Sequence, residues 1–172
     1  MKTRHIVVAE YDPRWKDEFK KIKETLLAKL KGAIVGIEHV GSTSVEGLAA
    51  KPIIDIDVII EHRGKFDTVK KRIEELGYFH EPELAIDGRE AFKCRTRKDL
   101  MPHHLYVCTE DSPELKRHLV FRDHLRSNWE DRERYGRVKM EAAKLYPEDI
   151  ERYILHKSQV IEEIYRTCGL IE

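Results

Sequence analysis

Two aspartates, Asp55 and Asp57, interrupt an otherwise wholly apolar run from Ile53 to Ile60. Side chains alternate across a strand, so both carboxylates fall on one face, roughly 7 Å apart. An unpaired charge on such a ribbon is costly, so something positive must stand against them. Two readings answer this. One is a hard divalent cation such as Mg²⁺, which suits a carboxylate pair and substrate phosphates. The other is an ion pair from each Asp to a nearby Lys or Arg. Upstream lies Gly41-Ser42-Thr43-Ser44. Glycine lets backbone approach an anion closely, and hydroxyls and turn N–H groups donate to phosphate oxygens. The plainer reading is an ordinary Ser/Thr helix cap. The order strand, Gly-Ser turn, short helix, Asp-x-Asp strand weighs toward phosphate. No GxxxxGK[ST] is present, which excludes a Walker P-loop.

Other residues offer weaker signals. In Phe92-Lys93-Cys94-Arg95-Thr96-Arg97 the cations Lys93, Arg95 and Arg97 alternate onto one strand face. Such a row suits a triphosphate or a nucleic-acid backbone, or equally the charged defence of an edge strand. His103 and His104 are adjacent and so point to opposite faces; His104 is assigned toward the site and His103 to a structural hydrogen bond. His39 flanks the Gly-Ser turn and is suited to orienting it. Arg122 and Arg126, four apart on a helix, share a face.

These residues need a scaffold. Asp12-Pro13 reads as a helix start, and Trp15, Phe19, Ile22, Leu26 and Leu30 form one helical stripe closed by Gly32. Strands are expected at residues 5–9, 33–39, 53–60, 78–80, 91–97 and 105–109. The segment 53–60 is the central one, because its β-branched run suits burial on both faces. A short helix is expected at residues 45–50, and another from Phe66 to Leu76, ended by Gly77. Ser112-Pro113-Glu114 opens a helical half that breaks near Ser127-Asn128 and Pro147 and stops by Gly169. Mixed elements followed by helices alone give an α+β fold: a mixed β-sheet flanked by helices, with a helical C-terminal half. The expected core is the sheet faces with Trp15, Phe19, Ile22, Leu26, Phe66, Ile73, Leu119, Tyr153 and Ile161.

Composition bounds the rest. The 172 residues suit one domain over 1–172. Lys plus Arg and Asp plus Glu each number 32, so the net charge is zero and any anion site is a local patch. No apolar run is long enough to span a membrane or serve as a signal peptide. Three cysteines without a CxxC pair point to a reducing, cytoplasmic compartment.

The run IEHVGSTSVEGLAAKPIIDIDV resembles the signature of the GrpB family, within the nucleotidyltransferase-like superfamily of DNA polymerase beta. VVAEYDPRW resembles that family's opening motif, MPHHLYV its HHLHV strand and HLVFRDHLR its LxFRDxLR helix. YILHKSQVIEEI fits its last helix. These motifs in this order are together specific, and the resemblance covers nearly the whole chain. The resemblance implies a nucleotidyltransferase-like fold. It also implies transfer of a nucleotidyl group from a nucleoside triphosphate to an unidentified acceptor. Gly41, Ser42, Thr43 and Ser44 would lie at the triphosphate and Asp55 and Asp57 on Mg²⁺. His104 would join the catalytic set, and Lys51, Arg95 and Arg122 would offset phosphate charge. The alternative is a non-catalytic nucleotide- or phosphate-binding accessory domain of the same fold; a third reading is a phosphohydrolase using Asp55, Asp57 and His104. The chain departs from the family in two places. Glu46 stands where proline is usual, adding negative charge by the turn, and Tyr106 replaces the second histidine of HHLHV. The superfamily's third carboxylate has no clear counterpart, Asp87 and Glu90 being near only in sequence.

Overall fold

The structure, a computed structural model, describes residues 5–172. The stripe predicted for the first helix forms α1, Arg14–Leu30, which buries Trp15, Ile22, Leu26 and Leu30. Phe19 packs at the margin of the same cluster. Asp12 accepts the Arg14 N–H at 2.9 Å, in the manner of a cap one residue early. The chain then forms β1, Gly36–Val40, and β2, Ile54–Ile60. Next come α2, Phe66–Glu75, β3, Tyr78–His80, β4, Arg89–Cys94, and β5, His103–Thr109. The strands form one sheet in the order β1-β2-β5-β4-β3. Only β2 and β5 pair in parallel, and their register sets Asp55 beside His104 and Asp57 beside Tyr106. The helical half is α3, Pro113–Ser127, α4, Trp129–Leu145, and α5, Ile150–Thr167. Asn128 caps α4 and Asp149 caps α5.

Period-two alternation gives the sheet two different faces. One carries Ile54, Ile56, Val58, Ile60, Leu105 and Val107 into the main core with α1 and α2. The other carries Asp55, Asp57, His104 and Tyr106. It is covered in part by α3, through Leu115 and Leu119 against Ile59 and Cys108. A second cluster joins Val45 and Leu48 to Leu125, Tyr135 and Ile164 of the three C-terminal helices. The helical half is thereby anchored to the loop after the Gly-Ser turn.

Three expectations differ. Residues 5–9 form no strand; only Ala9 pairs, with Ala50, in an isolated antiparallel bridge. Residues 45–50 are not helical, because Gly47, at φ 83°, breaks the turn and the chain is held by the buried Val45, Leu48 and Ala50. Strand β4 starts two residues early and stops at Cys94, so Arg95 and Arg97 lie beyond it and share no strand face with Lys93. The three cysteines are free. No helix among the described residues is long and apolar enough to cross a membrane.

Candidate functional site

The site begins with a backbone conformation. Gly41 ends β1 at φ 71°, where L side chains are strained. A methyl group there would also overlap the Asp55 carboxylate. Glycine thus lets the turn lie directly on Asp55. Residues Ser42–Ser44 then close a single 3-10 turn. The turn is held from both sides. The buried His39 Nε2 bonds Thr43 Oγ1 at 2.9 Å, and its ring stacks on Phe19 at 4.5 Å. Burial lowers the His39 pKa to about 4, so the imidazole is neutral. Ser44 Oγ donates to the Gly41 carbonyl at 2.5 Å. From α3, the Arg126 guanidinium donates to the Ser44 carbonyl at 2.8 and 3.1 Å.

On β2 each aspartate takes a histidine. His104 Nδ1 lies 2.9 Å from Asp55 Oδ1, and His118 Nδ1, from α3, lies 2.6 Å from Asp57 Oδ2. In both pairs the ring N–H donates to the carboxylate. The two aspartates differ in burial: Asp55 keeps 30% of its side chain exposed, whereas Asp57 keeps none. Burial raises the Asp57 pKa against the pull of His118. Asp57 Oδ1 is buried without any hydrogen-bond partner.

Beside Asp55 lies a cavity of about 250 Å³, lined by Gly41, Ser42, Thr43, Lys51, His104 and residues of α4 and α5. Lys139 is only 2% exposed, and its ammonium donates to Ser42 Oγ at 2.7 Å. Lys157 and Lys51 complete a trio of cations on the same wall. No carboxylate pairs with any of the three within 4.0 Å among the described residues. Aromatic faces take part of that role: Lys139 lies 4.2 Å from the Tyr135 ring centroid, and Lys157 and Lys51 lie 4.8 and 5.5 Å from that of Tyr153. Burial, aided by the neighbouring ammoniums, lowers the Lys139 pKa well below that of an ordinary lysine and brings Lys157 to about 8.

The expected residues thus divide. Gly41, Ser42, Thr43, Lys51, Asp55 and His104 line this cavity; Asp57 is fully buried and does not line it. Ser44 turns inward to hold the loop. Arg122 does not reach the cavity: its guanidinium bonds Glu38 at 2.6 Å, Asp123 at 2.8 Å and the His39 carbonyl at 3.0 Å. It anchors β1 to α3. Arg95 lies over the Phe79 ring at 5.0 Å, on another cavity, because its strand ends early. Glu46 points away, 74% exposed and paired with Lys16 at 2.7 Å, so it adds no charge to the turn. Lys139, Lys157 and Tyr135 were missed by sequence reasoning, and Tyr153, expected in the core and buried there, also walls the cavity.

A metal here would depend on substrate. Among the described residues no three His, Cys, Asp or Glu side chains group to hold an ion by themselves. Mg²⁺, however, commonly binds through one or two carboxylates and completes its shell with phosphate oxygens and water. The orphaned oxygen of Asp57, next on the same strand face as Asp55, is a donor that a cation would satisfy. The donor set fits on that basis.

Comparison with known proteins bears on family and fold. The GrpB protein family model matches residues 5–167. The UPF0157 protein BH1888 of Halalkalibacterium halodurans is 36% identical over 95% of this chain and 83% of its own length. The glutamate-rich protein GrpB of Alkalihalophilus pseudofirmus is 32% identical, over 92% and 93% respectively. A crystal structure of the conserved protein GrpB from Enterococcus faecalis superposes with a TM-score of 0.82 at 35% identity, covering 94% of this chain and 96% of that one. Cid1 poly(U) polymerase bound to MgATP superposes with a TM-score of 0.56 at 12% identity. That match covers 77% of this chain and 42% of Cid1, and it shows a shared nucleotidyltransferase-like fold. This chain belongs to the GrpB family.

Proposed function

We propose that the protein binds a nucleoside triphosphate in the lysine-lined cavity and transfers its nucleotidyl group to an acceptor hydroxyl. One observation carries the reading: Lys139 is buried and without a carboxylate partner within 4.0 Å among the described residues, with Lys51 and Lys157 beside it. Buried charges are normally paired. A polyphosphate is the anion that answers three cations, a serine hydroxyl and a glycine turn at once. Lys139, Lys157, Lys51 and Ser42 hold its oxygens, and Tyr135 and Tyr153 wall the site.

Asp55 and Asp57 would hold Mg²⁺, which when bound supplies charge neutralisation at the phosphates. His104 receives the proton. Its Nδ1–H is committed to Asp55, which leaves Nε2 as an acceptor. The acceptor oxygen bonds to the α-phosphorus, its proton passes to His104 Nε2, and the bond from the α-phosphorus to the bridging oxygen breaks to release pyrophosphate. An imidazole held by a carboxylate is a competent base, and it stands on β5 directly opposite Asp55.

Two measurements test this. Calorimetric titration with Mg²⁺ and each triphosphate gives heat with the wild type, and Lys139→Met weakens binding at least tenfold, the loss expected for one charge-assisted hydrogen bond of about 1.5–3 kcal/mol. Absence of heat for every nucleotide sinks the reading. Asp55→Asn keeps the binding and abolishes pyrophosphate release. A second reading, binding without transfer, is favoured by the complete burial of Asp57. A triphosphate that binds unchanged with or without Mg²⁺, and releases no pyrophosphate, selects it.

A further inference from the structure

The lysine-lined cavity has a larger neighbour of about 520 Å³, and Ile53 and His104 line both. The neighbour lies over the part of the sheet that α3 leaves bare. On this face its floor is Ala91 and the half-buried Tyr106, with Leu84, Met101 and Pro102 also lining it, whereas Phe92, paired with Leu105, turns to the main core. Its rim is cationic. Lys93 and Lys98 are exposed and lack a carboxylate partner among the described residues, while Arg95 rests on Phe79. Arg97 is already neutralised by Asp99 at 2.9 Å. Glu81 is the one acid of the lining. The β4–β5 register, Ala91↔Tyr106 and Phe92↔Leu105, continued one step reaches Lys93 and His104. The cations therefore start beside the imidazole that separates the two cavities.

We propose that this second cavity is the acceptor pocket, and that the acceptor is a small organic anion. It carries a phosphate or carboxylate at the Lys93–Arg95–Lys98 rim, a flat or apolar body on the floor and a hydroxyl directed to His104. The assignment rests on the nucleotide reading of the first cavity. Three free cations against one acid select an anion. Apolar side chains between the rim cations and His104 select an organic body, and the volume suits a molecule about the size of one nucleotide. With no net positive charge on the chain, the rim is a local patch, and its three free cations suit one anionic group better than a strand. A nucleophile seated here would meet His104 from the side opposite the triphosphate, which is where an acceptor must stand.

The test uses phenyl phosphate as probe, titrated into the full chain. Triphosphate binding is established first, with its dependence on Lys139. With the first cavity saturated by a non-hydrolysable triphosphate, phenyl phosphate still binds. The Lys93→Ala/Arg95→Ala double variant weakens it about tenfold or more, as loss of charge-assisted contacts requires, and leaves triphosphate affinity unchanged. Both residues are exposed, so an unchanged melting temperature confirms folding. The inference is overturned if phenyl phosphate competes with the triphosphate, fails to bind, or ignores the double variant. It is overturned also if a pentaribonucleotide binds more tightly than phenyl phosphate through Lys93 and Arg95, which assigns the groove to a nucleic-acid strand. Triphosphate binding without phenyl phosphate binding leaves the nucleotide reading standing alone. Phenyl phosphate binding without any triphosphate binding removes the acceptor role.

Discussion

Lys139 donates to Ser42 from a position almost closed to water and lies against the Tyr135 ring, with no carboxylate within ion-pair distance among the described residues. Burying an ammonium costs several kcal/mol unless it is paired. Lys139→Met keeps the side-chain length and removes the charge. We expect the ligand-free variant to melt at or above the wild-type temperature even as it loses triphosphate affinity, a split that differential scanning calorimetry and titration would show together. Gly41 behaves oppositely. Gly41→Ala introduces a β-carbon at φ 71° against the Asp55 carboxylate. The expected cost is about 1–3 kcal/mol of stability, read as a lowered urea midpoint, with triphosphate binding lost as well. His39 adds a pH dependence. Its folded pKa of about 4 lies below the ordinary 6.5, so the unfolded chain takes up the proton first. Stability is complete above pH 6.5 and falls as pH drops toward 4, by on the order of 3 kcal/mol at full effect. In His39→Gln this acid-side slope is expected to flatten in melting curves.

At the scale of elements, the sequence was most readable where one period dominated. The α1 stripe, the alternation of Asp55 and Asp57, the cap at Ser112 and the break near Ser127-Asn128 each followed from local chemistry. The glycine turn was readable because it had to be glycine. The cationic half of the site was not readable as a motif, since it is split between α4 and α5. Its signal lay in the helical stripes. On α4 the buried positions are Tyr135, Gly136, Lys139 and Ala142, so Lys139 occupies an inward, apolar register. Tyr153, Lys157, Ile161 and Ile164 repeat the pattern on α5 at spacings of four, four and three. Reading only the apolar members of those stripes as core hid two lysines that face the interior. Gly136 helps deliver them, because it packs against Leu48 and Ala49 without a side chain. Arg95 was misplaced for a different reason: where a strand stops depends on its neighbours, and β4 ends at Cys94. The arginines of α3 predict a structural effect. Arg126→Ala frees the Ser44 carbonyl, and a loss of about 1–3 kcal/mol is expected in chemical unfolding, with a larger relative loss of nucleotide affinity as the turn loosens.

Across the whole molecule, the cavity is the place where sheet and helical half meet. Asp55 and the turn come from one, Lys139 and Lys157 from the other. Their electrostatics are therefore linked to global folding. Lys157 has a folded pKa of about 8 against an ordinary 10.5, so between those values the unfolded chain binds more protons and stability rises with pH. The burial penalty is present in full below pH 8 and relieved on passing toward 10.5. Lys157→Met is accordingly expected to exceed the wild type in melting temperature at pH 7, with the gap closing by pH 10. A bound polyphosphate reverses the preference by favouring the charged amine, so binding near pH 8 should draw protons from solution, detectable by calorimetry in buffers of different ionisation enthalpy.

The ammonium trio also has a mechanical meaning. Lys51 rides the approach to β2, while Lys139 and Lys157 ride separate helices, so any charge they carry together with nothing between them works against the seating of α4 and α5 on the sheet. Apolar packing around Leu48 and Ile164 resists that repulsion. A multivalent anion would turn the same three charges into a clasp. Limited proteolysis should then cut the C-terminal helices readily in plain buffer and slowly in inorganic triphosphate, and the protein's lifetime would track the supply of what it binds.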